Sequence, residues 1–118
     1  MSEVDLVVVL RIKPGRLDDF KVAAQALIER SSGEPGTLRY DWHLSDDAIH
    51  CLNLERFSSA DAWVEHDANV AELIPKVQET AEFVSFAFIG EASDEAHRAL
   101  ASKNADRYGY FAGVARGS

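Results

Sequence analysis

The side chains best able to move a proton in this 118-residue chain are four histidines, His43, His50, His66 and His97. Imidazole titrates nearest to neutral pH, so each is a candidate base. They are widely spaced, and no H-x-x-x-H or C-x-x-C run is present, so no metal site is expected. His43 and His50 flank a predicted hairpin, where they either approach each other or stand as two exposed imidazoles. His66 differs, because it lies three residues after Trp63 on one face of a predicted helix. It either serves as a base or caps the helix end. Asn53 shares a strand face with Ile49, Cys51 and Phe57, and an amide on such a face must find a hydrogen bond. Glu55 is on that same face. It either pairs with a basic residue or a backbone amide, or is a buried acid with a raised pKa. Tyr40 and the Trp63 indole N–H add two more donors. Cys51 is the only cysteine, which excludes an internal disulfide, and it reads as a small buried hydrophobe. Phosphate-binding glycine loops and a local Ser-His-Asp set are absent.

These groups need a scaffold, and its centre is Glu34 to Phe57. Glu34-Pro35-Gly36 reads as a turn in which Pro35 fixes φ and Gly36 permits an unusual backbone conformation. Leu38, Tyr40, Trp42 and Leu44 then alternate with Thr37, Arg39, Asp41 and His43, the period of a half-buried strand. Ser45-Asp46-Asp47 breaks the run, and Ile49 to Phe57 resumes it, which predicts a β-hairpin. Val4 to Ile12 is almost continuously aliphatic, as in a central strand. Leu17, Phe20, Ala24, Leu27 and Ile28 predict an amphipathic helix over 15–31, closed by Ser31-Ser32-Gly33. Ser58 to Asp61 resembles a capping box and starts a short helix over 59–67. Val70, Leu73, Ile74 and Val77 continue a helical face that Pro75 must interrupt. Glu82 to Gly90 is a fourth strand, with Val84, Phe86 and Phe88 on one face and Phe83, Ser85, Ala87 and Ile89 on the other. Residues 92–103 predict an Ala-rich helix. The stretch Asp106 to Ala115 carries Tyr108, Tyr110, Phe111 and Val114, aromatics that water should not be left to cover.

The order β-α-β-β-α-β predicts an α+β, ferredoxin-like antiparallel sheet with both helices on one face, followed by a C-terminal helix and extended tail. The length fits a single domain over 1–118, with a core over 4–90 and an appendix over 91–118. The first and last strands are apolar on both faces, so a second copy of the chain is expected to cover the helix-free face in a two-fold dimer. Nearly half the residues are apolar (47%), and the formal charge is −8. That charge opposes binding to nucleic acid or to an anionic membrane surface. No apolar run of transmembrane length or signal peptide is expected, which with the lone cysteine fits a reducing cytoplasm.

Three stretches carry a resemblance: Glu34-Pro35-Gly36-Thr37-Leu38-Arg39-Tyr40, then Leu54-Glu55-Arg56-Phe57, then Ala60 to His66. Together they resemble the antibiotic biosynthesis monooxygenase family, which includes cofactor-free quinol and anthrone monooxygenases. The family pattern is EPG-x-x-x-Y, then Y-E-x-W, then a helix ending in His. Leu54 stands where an aromatic is usual and Phe57 where Trp is usual, while Glu55 and His66 fall on matching positions. The resemblance covers roughly 4–90 and implies a dimeric α/β barrel that uses O2 on a small aromatic molecule without a cofactor. It implies His66 as base or orienter; the chemistry also needs donors, for which Asn53 and Tyr40 are the catalytic candidates, the alternatives being a satisfied amide and a packed ring with its hydroxyl at the rim. Trp63, Trp42, Glu55, Phe20 and Leu27 would contact the substrate in a pocket between sheet and helices. Two other readings fit the scaffold: a non-catalytic dimeric ligand-binding or stress-response module, and an isomerase or decarboxylase using the same base without O2. Haem-degrading relatives use Asn on the first strand and His on the later helix. Here the first strand, Val4 to Ile12, has no Asn, and no His follows in the helix over 69–80.

Overall fold

The computed structural model describes residues 2–114. The end of the aromatic tail, from Ala115 onward, lies outside the described residues. The elements follow in the order β1 (Val4–Ile12), α1 (Leu17–Ser31), β2 (Thr37–Leu44), β3 (His50–Phe57), α2 (Ala60–Val70), a 3-10 turn (Ala71–Leu73), α3 (Ile74–Thr80), β4 (Ala81–Ile89), α4 (Asp94–Ala101) and β5 (Asp106–Tyr108). The sheet order is β2-β3-β1-β4-β5. The first four strands are antiparallel, and the ferredoxin-like α+β architecture is as expected. β5 is an addition that the sequence did not announce. It runs parallel to β4, pairing Asp106 to Tyr108 with Ala87 to Ile89.

β1 lies at the sheet's centre because both of its faces are apolar. Val4, Leu6, Val8, Leu10 and Ile12 are buried beneath the helices, while Val7 and Val9 are half-buried on the opposite face. All four helices lie on one side. α1 and α3 cover one core cluster, in which Phe20, Ala24, Leu27 and Val77 meet Val8 and Leu10. α2 and α4 cover a second, in which Trp63, Ala96 and Leu100 meet Leu6, Phe57 and Phe88. The Ser59 hydroxyl accepts the Ala62 N–H at 3.1 Å and so starts α2. Pro75 interrupts the helical run as expected. It sits in the first turn of α3, where its missing N–H costs no hydrogen bond.

Three local expectations need correction. First, β4 contains a bulge: Val9 pairs with Ser85 but Leu10 pairs with Phe83, leaving Val84 as the extra residue. Beyond it the parity reverses, so Phe83 and Ala81 take the helix side instead of Val84 and Glu82. Second, Gly36 is not required by its backbone angles. A Cβ there would lie 2.6 Å from the Ala62 Cβ, so it is the packing of α2 against the turn that demands glycine. Third, the tail aromatics are not covered within one chain, since Tyr110 is 85% and Phe111 96% exposed.

Candidate active site

α2 turns His66 inward one helical turn after Trp63, and both side chains are buried. β2 and β3 supply the facing wall. Their register sets Tyr40 opposite Glu55 and Trp42 opposite Asn53, so all four belong to the helix side of the sheet. The cavity so formed has a volume of about 480 Å³. Leu27, Tyr40, Trp42, Glu55, Trp63 and His66 line its depth, with Val70 and Ile74 from the helices. Phe83 to Phe86 of β4 and Ser102 to Asn104 after α4 form the mouth. The bulge at Val84 thus lies at the lip.

His66 is held from behind. Its Nδ1 lies 2.8 Å from Glu34 Oε1. Glu34 also accepts from the Thr37 hydroxyl at 2.6 Å and the Asn69 amide at 2.7 Å. Burial alone would raise the Glu34 pKa. The hydrogen bonds from Thr37, Asn69 and His66 outweigh it and hold the carboxyl below its ordinary range. An ionised Glu34 can only accept, so it fixes the imidazole proton on Nδ1 and leaves the Nε2 lone pair free. Ser31 Oγ is a longer contact, at 3.4 Å from the same nitrogen. Burial lowers the His66 pKa and outweighs the opposing pull of Glu34, so at neutral pH the ring is uncharged.

The free nitrogen faces a second acid. His66 Nε2 lies 3.9 Å from Glu55 Oε1. That is too long for a direct hydrogen bond, but one oxygen atom placed beside both groups would bond to each. Burial, reinforced by the negative charges of Asp67 and Glu34, pushes Glu55 up to about 8, against a weaker lowering by Lys103. Glu55 is therefore largely protonated at pH 7 and can donate. Burial together with Glu55 and Glu34 also raises Tyr40, so its phenol stays protonated and acts as a donor rather than a base. Its ring centroid is 4.8 Å from that of His66.

Two expected residues stand outside this cavity. Asn53 is 2% exposed, and its amide donates to the Asp41 carbonyl oxygen at 3.2 Å. It is a cross-strand amide with a backbone partner and does not line the space. Phe20 packs edge-on against Trp42, with centroids 6.0 Å apart, and so backs the wall without reaching the space. The sequence reading missed Glu34 as the partner of His66, the two being 32 residues apart. The available signal was the acid that opens the Glu34-Pro35-Gly36 turn. Lys103 and Asp67, paired at 2.9 Å at the mouth, were also missed, and no local pattern marks them. His43 and His50 are both exposed, and no group of three metal-ligating side chains occurs among the described residues.

The family model of antibiotic biosynthesis monooxygenases matches residues 4–83, and the chain belongs to that family. MupZ from Pseudomonas fluorescens superposes with a TM-score of 0.88 at 24% identity, covering 98% of this chain and 96% of MupZ. Rv0793 from Mycobacterium tuberculosis gives 0.69 at 20% identity, covering 79% of this chain and 98% of its own. SnoaB, a cofactor-independent oxygenase from Streptomyces nogalater, gives 0.68 at 14% identity over 79% of this chain and 96% of its own. At these identities the structures establish a shared fold. No curated protein matches the sequence.

Proposed function

We propose that this chain is a cofactor-independent monooxygenase acting on a small aromatic quinol or anthrone, with His66 as the base. The observation that carries the reading is the Glu34–His66–Glu55 arrangement. One carboxylate fixes the imidazole from behind, and a protonated carboxyl faces its free nitrogen across 3.9 Å in the depth of the cleft. His66 Nε2 takes a proton from a substrate hydroxyl or ring C–H. The electron-rich anion passes an electron to O2, and the two radicals join in a carbon–oxygen bond. The resulting hydroperoxide loses water, to which Glu55 supplies a proton. One oxygen atom stays in the product as a carbonyl, the other leaves as water, and the substrate's two hydrogens leave with it. Trp42, Trp63 and Leu27 supply the apolar walls against which a flat ring packs.

The test is oxygen uptake with a panel of reduced quinones and anthrones, comparing wild type with His66→Ala. Equal turnover by both proteins removes His66 from the mechanism. A second reading follows from the acid and base facing each other: isomerisation or decarboxylation by proton transfer without O2. Turnover under strict anaerobiosis selects it. A thermal shift with quinones but no turnover in either atmosphere selects a ligand-binding module instead.

We also infer a two-fold dimer. The helix-free face carries Val7, Val9, Leu52, Leu54, Ala87 and Ile89, with Leu52 38% and Ile89 39% exposed. A second copy laid sheet to sheet would cover them. Sedimentation of wild type against Leu52→Glu tests it. A monomeric wild type overturns the inference.

A further inference from the structure

The C-terminal appendix lies beyond the family match at 4–83, yet it contributes to the cleft. The Ser93 hydroxyl caps α4 by accepting the Ala96 N–H at 3.2 Å, and Ala96 and Leu100 are buried in the cluster around Trp63. The chain then reverses tightly. Asn104 adopts a left-handed φ of 53°, a conformation that asparagine tolerates better than most residues. The Ala105 N–H donates to the Leu100 carbonyl at 3.2 Å and closes the turn. This holds Lys103 at the cavity mouth, where its Nζ lies 2.9 Å from Asp67 Oδ1. Asp67 directly follows His66 on α2.

We propose that Lys103 is the cation that holds the anion formed when His66 takes a proton from the substrate. The proposal rests on the reading of His66 as a base. Among the described residues, Lys103 is the only lysine or arginine that lines the cleft. The other titratable groups around the reacting space are Glu34, Tyr40, Glu55, His66 and Asp67, each acidic or uncharged when deprotonated. A phenolate or enolate formed there loses water's solvation and needs a positive partner. An ammonium has three N–H donors, and Asp67 accepts one. Lys103 is also close enough to act electrostatically on both Glu55 and His66. The match to MupZ covers 98% of the chain and so includes this appendix. Those to SnoaB and Rv0793 cover 79%.

The experiment reads ionisation rather than turnover. 4-Nitrophenol and 4-nitro-1-naphthol change colour on losing a proton, so the apparent pKa of each bound probe is titrated by absorbance. Wild type is expected to lower it below that of the free phenol. K103M should raise it by about one unit relative to wild type, and K103R should restore it. D67N, which releases Lys103 from its carboxylate, should move it in the opposite direction. If the pair merely pins the appendix in place, K103M and D67N shift the probe alike, and the proposal fails. It fails too if K103M leaves the bound pKa unchanged or if wild type binds neither probe. K103Q replaces K103M in the comparison should K103M not fold. Loss of quinol turnover in H66A with an unmoved probe pKa in K103M overturns the role of Lys103 alone. A lysine-dependent probe shift in a protein that consumes no oxygen overturns the oxygenase reading alone.

Discussion

The floor and the mouth of the cleft are built on opposite terms. At the floor, Glu34 accepts three hydrogen bonds, from Thr37, His66 and Asn69, all at 2.8 Å or less. Its side chain is 13% exposed and that of His66 is 4%. At the mouth, one ion pair between Lys103 and Asp67 spans two elements, and each side chain is 29% exposed. A crowded network around a buried imidazole holds one geometry. A single half-solvated pair exchanges partners readily, since such pairs contribute at most about 1 kcal/mol. The comparison teaches that the proton-handling groups are set before a ligand arrives, while the groups that admit it can adjust.

Breaking the floor should have the largest effect. His66→Ala is expected to lower kcat by roughly 100-fold or more, the usual contribution of a positioned base, as measured by oxygen uptake with any quinol that wild type consumes. Glu34→Gln leaves the ring in place but removes the charge that fixes its proton. A loss of about tenfold in kcat with little change in KM is expected, and an unchanged kcat would deny the floor its rigid role.

Glu55 offers two measurements by pH. The activity profile should rise as His66 loses its proton, below the ordinary imidazole value of 6.5, and fall as Glu55 loses its own at about 8. Glu55→Gln, which has no acidic proton to give, should abolish the alkaline limb and lower kcat across the whole profile. Stability should follow the same group. The folded carboxyl keeps its proton up to about 8, whereas its ordinary value is 4.5. Between these values the folded state binds more protons than the unfolded, so wild-type stability falls as pH rises through that window. Relative to wild type, Glu55→Gln should gain on the order of 4 kcal/mol from pH 4.5 to 8, read by urea unfolding. Parallel curves for the two proteins would mean that Glu55 is not buried as an acid.

Breaking the mouth should cost least. Asp67→Asn is expected to change the melting temperature by no more than a few degrees and kcat by less than about tenfold. A collapse in stability would show the mouth to be as rigid as the floor.

How far the sequence could be read follows from how local each signal is. Val4 to Ile12 was legible as a central strand and Pro75 as a break because neighbours along the chain decide both. The inward face of β3 was legible too: Cys51, Asn53, Glu55 and Phe57 are all buried, as the alternation predicts. The role of Asn53 was not, because the Asp41 carbonyl that accepts its hydrogen bond lies on another strand. The Glu34–His66 contact and the Lys103–Asp67 pair arise only when helices pack against the sheet. Gly36 was identified as necessary but for the wrong cause, since the demand comes from Ala62 across a gap that no local rule describes. β5, three residues long and exposed throughout, is too short to leave a periodic trace.

Val84, the unpaired residue of β4, has a consequence for how such clefts diverge. Were Val84 drawn into an unbroken ladder with β1, it would pair with Leu10, and every residue from there back to Ala81 would trade sides. Phe83 would swing out to solvent and Glu82 would turn in beside Ile12. The bulge at the rim therefore decides whether the Phe83 ring or the smaller Val84 side chain sits opposite Leu10 at the entrance.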